Sequence, residues 1–113
     1  MKIWQIGIEL VMDVYNLTKQ FPEFEKFGLI SQINRCAVSI PSNIAEGSGR
    51  GTDKDFRNFL SNALGSLYEL ETQIIISHKL TYINIETYQS IETKISELER
   101  MIIGLIKSLT SKI

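Results

Sequence analysis

The stretch Phe56-Arg57-Asn58-Phe59-Leu60-Ser61-Asn62-Ala63-Leu64-Gly65-Ser66-Leu67-Tyr68-Glu69-Leu70-Glu71-Thr72-Gln73-Ile74 decides the fold. Its apolar residues Phe56, Leu60, Ala63, Leu67, Leu70 and Ile74 are spaced 4, 3, 4, 3 and 4. That is the 3.5-residue repeat of helices packed knobs into holes. Upstream, Thr52-Asp53-Lys54-Asp55 resembles a capping box with Asp in place of Glu, and its acidic first turn suits the positive end of the helix dipole. A helix from there to Leu80 approaches a length of about 40 Å.

Downstream, Thr81-Tyr82-Ile83 reads as a short loop ending in the cap Asn84. The same repeat then returns at Tyr88, Ile91, Ile95, Leu98, Ile102, Leu105 and Leu109. Two long heptad helices joined by so short a loop must lie antiparallel. Toward the N-terminus, Ile3, Ile6, Leu10, Val14 and Leu17 mark a first helix over about Ile3 to Gln20. Trp4, Ile8, Val11 and Tyr15 form a second stripe beside them. So broad an apolar face is buried on two sides, inside a bundle or between a bundle and another subunit. Asp13 falls within this face and requires a partner.

Pro22 ends the first helix, because it lacks an N–H and disfavours the α conformation at Phe21. A second helix follows from about Lys26 to Ala45, with Leu29, Ile33, Cys36, Ala37, Ile40 and Ile44 on one face. Pro41 lies inside it and predicts a kink or a helix in two pieces, at a cost of about 3 kcal/mol. Gly47 is the expected C-cap and Gly47 to Gly51 a flexible turn. No β-type alternation competes. The expectation is an all-α, up-down-up-down four-helix bundle with a kinked second helix, a single domain over 1–113.

The chain has 113 residues, 43% of them hydrophobic and 22% charged, with a net charge of -1. Such a composition suits a globular domain with a core of its own. It supplies no overall field for nucleic acid or an anionic membrane, so such a partner would have to meet a local patch. With no apolar run near the roughly 20 residues of a membrane span, and no leader-like N-terminus, the chain reads as cytoplasmic.

Residues that could carry chemistry are few. A di-iron bundle needs Glu-x-x-His on two helices. The one histidine, His78, has Ile75 where its Glu would stand. His78 therefore reads as a helix-end residue, and neither catalytic residues, metal nor cofactor are expected. Cys36 reads as a small buried hydrophobe, with a low-pKa nucleophile as the alternative. Gly47-Ser48-Gly49-Arg50-Gly51 lacks the Gly-Lys-Ser/Thr ending of a phosphate loop and follows a helix where such a loop follows a strand. An anion at the start of the third helix, near Arg50, Lys54 and Arg57, is the weaker reading, opposed by Asp53 and Asp55.

The most distinctive feature is a polar stripe on the second helix. Arg35, Ser39, Ser42 and Glu46 are spaced 4, 3 and 4 and share one face, with Asn43 close by. Ser and Asn are poor interior helix formers, used where small hydrogen-bonding groups must fit closely. The stripe is either a polar groove or subunit contact, or a buried network in which Arg35 meets Asp13 or Glu71.

The run Gln32-Ile33-Asn34-Arg35-Cys36-Ala37-Val38-Ser39-Ile40-Pro41-Ser42-Asn43-Ile44-Ala45-Glu46-Gly47-Ser48-Gly49-Arg50 resembles the signature of a bacterial protein family encoded in intervening sequences of large-subunit ribosomal RNA genes. The resemblance extends to Val14-Tyr15, Thr18 and Phe21-Pro22, and to Phe59-Leu60, Ala63, Gly65-Ser66-Leu67 and Glu69-Leu70-Glu71. It implies a four-helix bundle that assembles as a homopentamer. Similar proteins are nucleic-acid-binding accessory factors to the reverse transcriptases of diversity-generating retroelements. Two readings follow: a non-enzymatic homo-oligomeric scaffold, or an RNA- or DNA-binding accessory protein using Arg35, Arg50, Lys54 and Arg57.

Overall fold

The computed structural model describes residues 1–111. Four helices follow one another: α1 (Lys2–Thr18), α2 (Leu29–Ser48), α3 (Asp53–Lys79) and α4 (Ile85–Thr110), and no strand occurs among the described residues. One short 3-10 turn, Glu23–Glu25, stands between α1 and α2. Each helix packs on its neighbours in chain order, and α1 also packs on α4. The two diagonal pairs have no close backbone approach. Contacts fix the helix directions. Gly7 meets Pro41 while Thr18 meets Asn34, so α1 and α2 run oppositely. Gly47 meets Phe59 while Cys36 meets Ser66, and Arg57 meets Leu109 while His78 stacks on Tyr88. The same reversal therefore holds for α2 with α3 and for α3 with α4.

The heptad seams form the core. Leu60, Leu67, Leu70 and Ile74 of α3 and Ile95, Leu98 and Ile102 of α4 are fully buried, against Leu10 and Val14 of α1 and Ile33, Ile40 and Ile44 of α2. Each such side chain contributes about 1.5–3 kcal/mol on leaving water. Helix ends are held as their sequences predict. Thr52 Oγ1 accepts from the Asp55 N–H at 3.1 Å, and Asn84 Oδ1 accepts from the Thr87 N–H at 2.8 Å. Glu25 joins two corners, accepting from the Leu29 N–H at 3.2 Å and from the Tyr82 hydroxyl at 2.9 Å. Gly51, with φ +89, provides the left-handed residue that turns the chain toward α3.

Three expectations need correction. First, α1 ends at Thr18 and α2 starts at Leu29, because the 3-10 turn takes up Glu23–Glu25. Second, α2 runs through Pro41 as one helix, so the two-piece alternative does not arise. Pro41 denies the Ala37 carbonyl its helical donor. In return its ring lies where α1 comes closest: a Cβ on Gly7 would stand 3.3 Å from Pro41 Cβ. Third, Gly47 is not the C-cap. The helix continues to Ser48 and is capped by Gly49, while Gly47 is buried against α3. A Cβ there would stand 2.6 Å from Phe59 Cβ and 3.1 Å from Phe56 Cδ1, so glycine is required by the closeness of α2 and α3.

Candidate functional site

The second stripe of α1 is only partly covered within the protomer, where Val11 alone is half-buried against the core. Leu10 and Val14 point inward, and the residues one step around the helix, Trp4, Ile8 and Tyr15, are about two-fifths exposed (40%, 39% and 40%). On α2, Val38 is equally open at 40%. Trp4, Ile8 and Val11 together with Val38, Pro41, Ser42 and Ala45 line a groove of about 240 Å³ between the two helices. Ser42 is its only residue with a side-chain hydroxyl. Met12, 59% exposed, lies farther out along the same side of α1. Contiguous apolar surface of this kind is unusual on a soluble monomer.

The polar stripe borders this groove on its outer side. Arg35, Ser42 and Glu46 are exposed, and Ser39 and Asn43 are half-buried toward α3. The buried-network reading therefore fails. Asp13 pairs with Lys94 of α4, and Glu71 faces α4 on the far side of α3. Helix phase explains this, since Arg35 emerges beside α3 and away from α1. Among the described residues Arg35 forms no ion pair.

Between α2 and α3 the small polar residues serve local hydrogen bonding. The Cys36 thiol donates to the Ser66 carbonyl at 3.1 Å. Ser39 Oγ lies 2.6 Å from the Cys36 carbonyl and 2.8 Å from Ser66 Oγ, while Asn43 Nδ2 donates to the Ser39 carbonyl at 2.8 Å. Burial, with Glu69 nearby, pushes the Cys36 thiol up to about 12. It therefore stays a thiol at neutral pH, which weighs against the nucleophile reading.

Arg35 stands apart from the other three cationic residues, which lie near the start of α3. Arg35 stands about 20 Å along α2 from Arg50. Arg50 Nε is 3.2 Å from Glu46 Oε2, and its guanidinium lies 4.9 Å over the Phe59 ring. Arg57 Nη1 donates to the Leu109 carbonyl at 3.4 Å, at the negative end of α4. Two of the four proposed phosphate contacts are therefore engaged within the protomer. His78 stacks on Tyr88 with centroids 4.3 Å apart, a bundle-end packing role. Among the described residues no group of His, Cys, Asp or Glu is placed to hold a metal ion, and no helix is long and apolar enough to cross a membrane.

Sequence reasoning missed one cluster. Glu92 and Glu99 of α4 meet Glu71 of α3 at the edge of the seam, where Glu92 Oε2 and Glu99 Oε2 are buried and can hydrogen-bond to Glu71 only when a carboxyl carries a proton. Burial first, then the neighbouring Glu71, raises both carboxyls from 4.5 to about 7, although Arg100 pulls Glu99 slightly the other way. The available signal was their i, i+7 spacing beside a heptad, where an opposing Lys is usual and Glu71 stands instead. Because folding raises these values, their favourable contribution is complete below about pH 4.5. It is lost as pH rises through about 7. Thermal melts should show stability falling from pH 6 to pH 8 in the native chain. Glu99→Gln should be more stable at pH 8 and flatter across that range. Equal slopes for the two proteins would contradict the assignment.

With the geometry established, its relatives can be placed. The family model for the 23S rRNA-intervening sequence protein matches residues 1–104. The chain belongs to that family. No curated protein sequence matches it. A solved structure, that of a protein of unknown function from the S23 ribosomal protein family of Bacteroides thetaiotaomicron VPI-5482, is similar at 30% identity with a TM-score of 0.86. The match covers 93% of this chain and 98% of that one. The two structures thus share the four-helix fold along nearly the whole chain, and the α2 run that carries the family resemblance lies at the groove and its polar border.

Proposed function

We propose that this member of the 23S rRNA-intervening sequence protein family is a non-enzymatic homo-oligomeric scaffold, built as one domain and assembling through the outer face of α1 and α2. The observation that carries the reading is the uncovered apolar groove between Trp4, Ile8, Val11, Val38, Pro41 and Ala45. It has the anatomy of a subunit contact: an apolar centre with aromatic residues and a polar rim, here Arg35 and Glu46. The face runs along the 17 residues of α1, about 25 Å, and is two helices wide, about 20 Å. Its projected area of about 500 Å², larger as accessible surface, is on the scale of the roughly 800 Å² per partner of a stable interface. A homopentamer is the assembly that the family resemblance implies.

Trp4, the only tryptophan of the chain, reports on this face directly. Its fluorescence should be blue-shifted and poorly quenched by acrylamide at micromolar concentration, becoming red-shifted and quenchable on dilution. Emission that is solvent-exposed and independent of concentration would count against the reading. The nucleic-acid alternative draws less support, because Arg50 and Arg57 are engaged. It would require binding that weakens steeply with salt and with Lys54→Ala.

A further inference from the structure

A polar cleft lies between α2 and α3, apart from the apolar groove. It measures about 410 Å³ and is lined by Arg35, Ser39, Ser66, Glu69 and Gln73, with the exposed Gln32 and the buried Cys36 beside them. Clefts that hold small molecules run from about 300 to 1,000 Å³.

Gln73 is the most telling of these residues. It is only 8% exposed, and its Oε1 is enclosed with no hydrogen-bond partner. A buried acceptor without a donor carries a desolvation cost that an apolar residue of the same shape would avoid. Within the protomer the amide has that cost and no return. A donor delivered into the cleft is what its oxygen lacks.

Two charges share the cleft with it. Arg35 and Glu69 stand on facing helices, yet among the described residues neither forms an ion pair. Ser39 and Ser66 do not supply the missing donor. Ser39 Oγ lies 2.6 Å from the Cys36 carbonyl and 2.8 Å from Ser66 Oγ, so both hydroxyl protons are used within the wall and Ser66 keeps only lone pairs to offer. Glu69, Gln73 Oε1 and Ser66 Oγ are thus acceptors, and an ammonium group brings three donors. Arg35 offers donors only, and its planar fork fits a carboxylate. A simple anion would be opposed by Glu69 and a simple cation by Arg35, whereas a zwitterion answers both. We infer that the α2/α3 cleft binds a free α-amino acid, with its carboxylate on Arg35 and its ammonium on Glu69 and Gln73. The polar walls select a polar side chain. Neither α1 nor the apolar groove takes part, so the site stands apart from the oligomeric reading.

Isothermal titration calorimetry and thermal melts of the purified chain with each standard amino acid at millimolar concentration test this. At least one polar amino acid should bind saturably, with a Kd of about 0.1–1 mM because both charges are exposed. Its N-acetyl and methyl-ester derivatives each lack one charge and should bind at least about tenfold more weakly. Arg35→Gln and Glu69→Gln should do the same with unchanged helicity. Gln73→Met separates a ligand role from a structural one. Losing an unpartnered acceptor should leave the melting temperature equal or higher while binding falls by about tenfold. A lower melting temperature in that variant would make Gln73 a structural residue and overturn the proposal. Neither heat nor a melting shift with any amino acid, or equal binding of the derivatives, would overturn it as well, leaving Arg35 and Glu69 to serve each other across the cleft.

Discussion

Ile8→Glu should turn the assembled protein into a folded monomer. Ile8 lies at the centre of the α1/α2 groove and is 39% exposed in the protomer, so a glutamate there can turn into water and leave the bundle intact. In the assembly the same carboxylate would be enclosed by apolar side chains with no cation to meet it. Burying an unpaired charge costs several kcal/mol, and about 3 kcal/mol for each contact already weakens association more than a hundredfold. A fall in mass with unchanged helicity and melting behaviour is the expected result. Loss of helicity would mean that Ile8 supports the protomer itself, and an unchanged mass would place the subunit contact elsewhere.

Gly47→Leu should have the opposite character, damaging the protomer. Gly47 is buried where α2 crosses α3, and even a single methyl would stand 2.6 Å from Phe59 Cβ. That atom sits next to backbone and cannot swing aside as the end of a long side chain could. Relief requires the two helices to part, loosening Ile44 and Leu60, both fully buried. Overpacking of this kind costs about 1–3 kcal/mol for modest insertions and more where backbone must move. We expect at least about 3 kcal/mol, equivalent to a melting temperature lower by roughly 10 °C. Chemical denaturation measures it, and a loss under 1 kcal/mol would show that the crossing is looser than described.

These two residues illustrate what could be read before the structure. Ile8 was visible as part of a second apolar stripe, because helical periodicity states which residues share a face and the first stripe already sufficed for the core. Whether other helices or another subunit cover that stripe depends on where α4 lies, which periodicity does not contain. Gly47 was misassigned because a glycine near Gly49 and Gly51 has the local appearance of a helix stop. Its actual constraint comes from Phe56 and Phe59, residues close in space that local sequence signals do not connect.

The same distinction governs the polar groups. Capping by Thr52 and Asn84 depends on residues three positions apart and was legible. Asp13 was correctly expected to need a partner, but Lys94 lies 81 positions away on a helix whose rotation about its axis was unknown. Arg35 was offered Asp13 or Glu71, and helix phase gives it neither. The meeting of Glu71 with Glu92 and Glu99 runs against the usual alternation of sign beside a heptad seam, so rules of charge pairing pointed away from it. The α2 run from Arg35 to Arg50 was the most informative stretch for the family. Its structural role is divided among hydrogen bonding to α3, the close crossing at Gly47, and the rim of the apolar groove.

All of this turns on whether the groove between α1 and α2 is covered by another copy. Light scattering on the purified native chain at micromolar concentration measures that most directly. A mass several times the 12.9 kDa of one chain, five times for the pentamer that the family resemblance implies, is the predicted result. A single species at 12.9 kDa would contradict the account.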